Sequence, residues 1–276
     1  MKISIVIPVY NEEDYLNACL NAIANQTVMP DEVIVVDNNS TDKTVKIASS
    51  YPFVKLINEP IQGVLQARTR GFNEAKYEIM GRIDADTILS PNWVECVLEV
   101  FKDNKIAAVT GANSFYEWPF SPHNHWVEHI FKGPLYKYAK KFPYLFGTNM
   151  AIKKNAWNAV KNELCENRTM HEDLDLAIHL YKRNMKILYE RKLLAGMSAR
   201  RYDDSPASFR SYMKSYTTTY KSHGLPIVAP RIAMAGYTLG YIILKPFRSS
   251  YNPQDNTYSV KHLLKGGNKA RKHPMH

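Results

Sequence analysis

The sequence is short of several things. Three cysteines, Cys19, Cys96 and Cys165, are scattered over 276 residues with no C-x-x-C spacing. Their pattern argues against a zinc site or a disulfide framework and suits a reducing cytosol. No leader is visible, because residues 3–9 run straight into Tyr10-Asn11-Glu12 without a cleavage-type site. Long apolar runs are missing too. A late uncharged stretch, residues 232–244 between Arg231 and Lys245, has thirteen residues, against the roughly 17–25 that a membrane-spanning helix needs. It predicts a core helix or a segment lying in a membrane interface. No internal repeat or low-complexity tract is present. Acids are in deficit: 26 against 36 Lys plus Arg, a net charge of +10. That surplus needs an anionic partner, whether lipid, nucleic acid, or substrates such as nucleotide-sugars and lipid phosphates. The cations thicken late, from Arg200, Arg201, Arg210, Lys214 and Lys221 to Lys261, Lys265, Lys269, Arg271 and Lys272, which predicts a surface-docking C-terminal part.

What is present is a sizeable apolar fraction, 45%, set out in alternating strand and helix patterns. Residues 2–9 are a continuous apolar run, the pattern of a buried parallel strand. Helical spacing follows at Tyr15, Leu16, Cys19, Leu20, Ile23 and Ala24, with Glu12, Glu13 and Asp14 at the end the helix dipole favours. Residues 32–36 predict a second strand ending at Asp37. Then come a turn with Asp42 as a cap, a short helix over 44–49, a third strand over 54–57 and a helix over 63–75. A fourth strand ends at Ile83, Ser90-Pro91 opens a helix to about residue 101, and a fifth strand spans 106–110. Short returns between them predict a right-handed doubly wound sheet. Beyond Gly111 the rhythm breaks into an aromatic stretch, Phe115, Tyr116, Trp118, Phe120 and Trp126. Later segments predict a strand within 146–152, a helix from about 171 to 183, a short strand over 185–189, and a helix opened by Ser205-Pro206. On that last helix Phe209, Tyr212, Met213 and Tyr216 share a face. His123, His125 and His129 lie in a Pro-containing loop, where metal binding is disfavoured.

At the end of the fourth strand stands Asp84-Ala85-Asp86. In an open α/β sheet, ligands bind outside the carboxyl ends of the strands. If the chain stays extended there, both carboxylates point to the same side. Two convergent carboxylates are a hard-oxygen site for Mg²⁺ or Mn²⁺ and, through the metal, a diphosphate. Taken alone the pair is equally two solvated loop acids.

In combination the motifs resemble the inverting family 2 glycosyltransferases of GT-A fold. The residues that carry the resemblance are Ile7-Pro8-Val9-Tyr10-Asn11-Glu12, Val35-Val36-Asp37-Asn38-Asn39-Ser40-Thr41-Asp42, Gly63 with Ala67-Arg68 and Gly71, Asp84-Ala85-Asp86, Gly147-Thr148-Asn149-Met150-Ala151, and His171-Glu172-Asp173. They span about residues 1–190. The resemblance implies that Pro8, Val9, Tyr10 and Glu12 wrap the nucleobase and ribose, with Tyr10 stacking. It implies that Asp37 accepts from a base N–H, and that Asn38 replaces an acid many relatives carry, which leaves the base open. Arg68 would face the diphosphate or base, or be a surface cation. Asp84 would contact ribose or metal, and Asp86 would ligate the divalent cation. Asp173 would be the general base that deprotonates the acceptor hydroxyl, with Glu172 beside it as a helix-start acid and His171 in the pocket wall.

The expected architecture is α/β: a Rossmann-like nucleotide-sugar-binding half over residues 1–112, an acceptor-binding half over 113–200, and a helical basic region over 201–276 that associates with an anionic membrane surface. The Q-x-x-R-W signature of processive synthases is missing after Asp173, and Ser208-Phe209-Arg210-Ser211-Tyr212 stands in that zone. A non-processive, metal-assisted transferase is therefore expected, moving one sugar from a nucleotide-diphosphate donor to a saccharide or lipid-linked acceptor. Its place would be the cytoplasm, peripheral on the inner face of the membrane. Nucleic acid is not an expected partner. Two competing readings are a non-catalytic nucleic-acid- or membrane-docking protein on the same fold, and an Asp-nucleophile phosphatase. The latter places its Asp pair on the first strand, not the fourth. A sugar-nucleotide-forming nucleotidyltransferase would need a Gly-rich, Arg-bearing N-terminal loop, which is absent.

Overall fold

The apolar runs near the start of the chain are continuous because both faces of their strands are covered. In β1 (Ile3–Val9), Ile3, Ile5 and Ile7 face one core and Val6 the other. In β2 (Glu32–Asp37), Val33 and Val35 join the first core, Ile34 and Val36 the second. This is the period-2 alternation of a strand between two apolar layers. The computed structural model describes residues 1–117, 144–167, 169–252 and 257–264. Helices α1 (Leu16–Ala24) and α2 (Thr44–Ser49) lie on the first face, α3 (Val64–Glu74) on the second, α4 (Trp93–Val100) on the first, and α5 (Lys154–Val160) and α6 (Glu172–Lys182) on the second. Trp93 and Trp157, both fully buried, anchor the two layers. Each such side chain contributes about 1.5–3 kcal/mol through the apolar surface it removes from water.

With β3 (Val54–Asn58), β4 (Ile79–Arg82), β5 (Thr87–Leu89), β6 (Ile106–Phe115), β7 (Met150–Lys153) and β8 (Lys186–Met197), the sheet order is β3-β2-β1-β4-β7-β6-β8-β5. The first four strands are parallel, as their patterning predicts. The second half departs from a simple doubly wound sheet. Strand β6 does not pair with β4, because β7 runs antiparallel between them. The short strand expected over 185–189 extends to Met197 and pairs parallel with β6 along its length. The helix expected to open at Ser90-Pro91 starts at Trp93, since the Ser90 and Pro91 carbonyls accept from the Gln26 amide at 2.7 Å and the Thr27 N–H at 2.8 Å.

A register shift between Gly111 and Ala112 bends this second half. A Cβ on Gly111 would stand 1.8 Å from the Leu193 carbonyl oxygen, so only glycine lets the backbones approach. The irregularity is sealed by Asn149, whose amide donates to the Ala112 and Leu193 carbonyls, each at 2.9 Å, and accepts from the Trp93 indole at 2.7 Å. Three strands separate β4 from β5 in the sheet order, about 19 Å at normal spacing, yet only residues 83–86 link them. The link spans at most about 18 Å even fully stretched, and it contains a turn. The sheet therefore curls, and Asp84-Ala85-Asp86 sits at the fold-back.

After a 3₁₀ turn (Arg200–Asp203) come α7 (Pro206–Ser222), α8 (Val228–Ser250), a short hairpin of β9 (Tyr251–Asn252) and β10 (Thr257–Tyr258), and α9 (Val260–Leu264). Ser205 caps α7 by accepting from the Ser208 N–H at 3.2 Å, with Pro206 in the first turn, as the sequence predicts. Helix α8 is fastened by buried Arg248, which pairs with Glu117 at 2.6 Å and Asp203 at 2.8 Å. Tyr241 and Lys245 both donate to the Asp204 carbonyl. The opposite face is apolar and exposed at Val228, Ile232, Leu239, Ile242, Ile243 and Phe247. Among the described residues no helix is long and apolar enough to cross a membrane. Trp118, Phe120, Trp126, the His123, His125 and His129 group, and the cations from Lys265 onward lie outside the described residues.

Candidate active site

A cavity of about 250 Å³ opens beyond the carboxyl ends of β1 and β4. Pro8, Val9, Tyr10 and Glu12 form one side, Asp84, Ala85 and Asp86 the floor, and Gly147, His171, Glu172 and Asp173 the opposite side, with Arg200, Tyr212 and Tyr216 closing over it. The sequence motifs thus converge from across the chain. The first loop is set by Asn11, which adopts a positive φ of 52° and accepts from the Thr41 N–H at 2.8 Å. Asparagine tolerates that conformation better than most residues. Next to it the buried Glu12 N–H donates to Thr44 Oγ1 at 2.7 Å.

The two aspartates do not lie along an extended chain. The Thr87 N–H donates to the Asp84 carbonyl at 3.0 Å, closing a turn, so strand alternation does not aim them. They meet different cations instead. Asp84 pairs with Arg82 at 2.8 Å and stays about one-third exposed (side chain 35%), while buried Asp86 lies 2.8 Å from Arg200 Nε. Arg200 also grips Glu12 through both terminal nitrogens, at 2.6 and 2.8 Å. Burial works against the Arg200 charge, but Asp86 and Glu12 outweigh it and push its pKa up. Its Nε is nonetheless out of hydrogen-bond alignment and has no hydrogen-bond partner among the described residues.

Arg82, a charged residue inside an apolar strand, is the hub of the other side. Its Nη1 donates to both Asp173 oxygens at 2.8 Å, and its Nη2 reaches Asp84 at 2.8 Å and Glu172 at 3.5 Å. Burial opposes this charge too, and Asp173, Asp84 and Glu172 more than compensate. Asp173 accepts a further bond from the Gly147 N–H at 2.9 Å. A Cβ on Gly147 would fall 1.0 Å from Arg82 Nη1, which explains the glycine. Burial raises the Glu172 carboxyl, but His171, Arg82 and Arg68 together hold it below the ordinary glutamate value. His171 stands in the wall as expected, its ring 4.4 Å from that of Tyr216 and its Nε2 3.3 Å from the Tyr212 hydroxyl.

Three of the expected residues are engaged differently from what the resemblance implies. Arg68 does not face a diphosphate: it is fully buried, absent from the cavity wall, and donates to the Glu172 carbonyl at 2.9 Å with Asp173 3.6 Å away. Its neighbours Val64 and Ala67 line the cavity instead. Burial lowers the Arg68 pKa despite Asp173 and Glu172. Asn38 lines the cavity, but its amide hydrogens go to the Glu59 and Ile61 carbonyls, and its oxygen accepts from Gly63 and Gln62. It fastens the loop before α3 and has little capacity left to read a base. Asp37 lies at the end of β2 as expected, but outside the cavity wall, accepting from the Ser40 N–H at 3.2 Å. Asp42 accepts from the Thr44 N–H at 2.9 Å, one residue before the cap position of α2, which is Lys43.

Arg82 and Arg200 are the functional residues that sequence reasoning missed. Arg82 carried a signal, a cation in a strand buried on both faces. Arg200 carried none, since its partners lie more than a hundred residues away.

A curled, mostly parallel sheet with helices on both faces, ending in a carboxylate-lined cavity at its strand ends, defines the GT-A glycosyltransferase class. Within that class the sequence model described as "Glycosyl transferase family 2" matches residues 4–160, and the chain belongs to this family of nucleotide-sugar-dependent enzymes. A hyaluronan synthase from Pasteurella multocida is 27% identical over 253 residues, 79% of this chain and 26% of its own length. A chondroitin synthase from Pasteurella multocida (strain Pm70) is 32% identical over 133 residues, 42% of this chain and 14% of its own. The chain thus spans about a quarter of the first of these curated relatives and about a seventh of the second. The fold is shared with a mannosyltransferase from Pyrobaculum calidifontis solved in complex with GDP-Man and Mn²⁺, at a TM-score of 0.65 and 16% identity over 96% of this chain and 79% of that one. It is shared as well with S. aureus TarS residues 1–349 in complex with UDP-GlcNAc, at a TM-score of 0.59 and 18% identity over 79% of this chain and 66% of that one.

Proposed function

We propose that the protein transfers one sugar from a nucleoside-diphosphate donor to a hydroxyl of a saccharide or lipid-linked acceptor, inverting the anomeric centre and releasing after each transfer. The observation that carries this reading is the single cavity bounded by Pro8 to Glu12, by Asp84 and Asp86, and by Asp173. Residues 1–112 would bind the donor, 113–200 the acceptor, and 201–276 would close and dock the enzyme. Tyr10 offers the nucleobase a flat face.

Asp84, Asp86 and Glu12 line the one cavity, and their carboxylates would supply the hard oxygens suited to Mg²⁺ or Mn²⁺. The Arg200 guanidinium already drawn to Glu12 and Asp86, with its Nε unbonded, supports reading these carboxylates as a cation site. A divalent ion bound there supplies positive charge for the departing diphosphate. Asp173, held in orientation by Arg82 and the Gly147 N–H, takes the proton of the acceptor hydroxyl as its oxygen attacks the anomeric carbon. Inversion in one displacement needs a base on the side away from the leaving group, and Asp173, which lines the same cavity as the 8–12 loop, is the carboxylate read in that role.

The exposed apolar face of α8 supports docking on a membrane surface that carries the acceptor. Thermal shift against UDP-, GDP- and dTDP-sugars, with and without Mn²⁺, tests the donor reading: a ligand that binds only the native state raises the melting point. If none does so, the transferase reading fails. Asp173→Asn is expected to lower transfer by 10²–10⁴-fold while nucleotide binding stays nearly intact; loss of both moves the base elsewhere.

A further inference from the structure

Along α6 and outside the cavity lining, four residues with no part in the proposed reaction converge. Asp175 and His179 stand one turn apart on α6, Cys165 comes from the segment before it, and His223 follows the last residue of α7. One ligand atom from each lies within 4.8 Å of every other. The Cys165 Sγ to His223 Nε2 distance is 3.9 Å, His223 Nε2 to Asp175 Oδ1 is 2.7 Å, and His179 Nε2 to Asp175 Oδ1 is 3.5 Å. A tetrahedral zinc with bonds of about 2.0–2.3 Å sets its ligands about 3.3–3.8 Å apart. Small side-chain movements reach that arrangement.

The surroundings are those of a ligand set and not only of a hydrogen-bonded cluster. His179 is nine-tenths buried (9% exposed), and its Nε2 has no hydrogen-bond partner among the described residues although it is aimed at the group. Its other nitrogen stands 3.4 Å from Glu163, the carboxylate support that metal-bound histidines commonly have. Asp175 Oδ2 is held by the Cys165 N–H at 2.9 Å, which turns Oδ1 toward the histidines. One polar contact opposes binding. Lys182 Nζ lies 3.0 Å from His223 Nδ1, the atom that must carry the proton once Nε2 becomes a ligand. Lys182 is exposed and free to swing into solvent.

We propose that Cys165, Asp175, His179 and His223 form a structural zinc site. One thiolate, two imidazoles and one carboxylate are a borderline-soft set that favours Zn²⁺ over Mg²⁺ or Ca²⁺, and four protein ligands leave no open position for catalysis. Binding releases the thiol proton, which burial and the neighbouring Asp175 otherwise retain. The ion would staple α6, whose first turn carries Glu172 and Asp173, to the end of α7, whose Tyr212 and Tyr216 wall the cavity.

Purified chain, supplied with zinc during expression and dialysed against excess Mg²⁺, should retain one zinc per molecule by elemental analysis. Cys165→Ser and His223→Ala should each bind zinc at least tenfold more weakly. Replacing zinc by Co²⁺ should give the thiolate-to-cobalt charge-transfer band and strong visible bands of a tetrahedral site, and Cys165→Ser should remove the charge-transfer band. Zinc below a tenth of an equivalent, or a Co²⁺-loaded wild-type chain without the thiolate band, overturns the proposal whether or not the variants fold. Zinc retained equally by all the variants overturns it as well.

Discussion

Two arginines organise the cavity residue by residue. Arg200 joins Glu12 to Asp86, and Arg82 joins Asp84 to Glu172 and Asp173. Removing one member of a buried ion pair costs about 3–5 kcal/mol, because the partner charge is left uncompensated. Arg200→Gln should therefore lower the melting point of the ligand-free chain by several degrees, and millimolar Mn²⁺ should restore much of the loss by replacing the missing cation. Scanning fluorimetry with and without the ion checks this. A melting point that falls equally in both conditions would mean that Glu12 and Asp86 do not share a cation site. The acids themselves were legible, since Asp84, Asp86 and Asp173 each stand at a strand end or helix start that local pattern reveals. Their arginine partners were not, because no local pattern says which distant cation a carboxylate meets. Arg68 shows the converse: the sequence located its helix correctly but could not reveal that its side chain turns under Asp173 and away from the cavity.

At the level of strands and helices, the first half of the fold was legible and the second was not. Strands β1 to β4 announce themselves because hydrophobic continuity, helix spacing and short returns are local signals. The insertion of β7 beside β4, the length of β8 and the pairing of β5 with β8 depend on partners 68 to 110 residues apart, such as Arg82 with Met150, Val109 with Leu188 and Thr87 with Met197. Gly147-Thr148-Asn149 was recognisable as a motif, yet the work of Asn149 in sealing the bend is visible only in the fold. Gly111 gives the element-level test. Its alanine would press on the Leu193 carbonyl, so Gly111→Ala should lose about 1–3 kcal/mol. Gly236→Ala, in exposed helix α8 with nothing within 4 Å of the added Cβ, should gain up to about 1 kcal/mol from helix propensity. Denaturant melts of the two variants should shift in opposite directions. A shift of the same sign in both would contradict the close approach at Gly111.

For the whole molecule, the C-terminal helices matter as a surface and as a clasp. Deleting them confuses the two roles, since Arg248 is buried against Glu117 and Asp203. Point changes on the outer face separate them. Ile232→Glu with Ile243→Glu should reduce co-sedimentation with anionic vesicles at least tenfold and leave the melting point within a degree or two, because both side chains are more than half exposed. Unchanged sedimentation would assign α8 to packing alone. The same long-range economy governs how the site comes into being. Glu12 and Arg200 stand 188 residues apart, and contacts of such separation carry a large loop-closure cost. During synthesis, β1 to β4 can pair before Arg200 has left the ribosome. A nascent chain can thus hold a sheet before it holds every residue that lines the cavity.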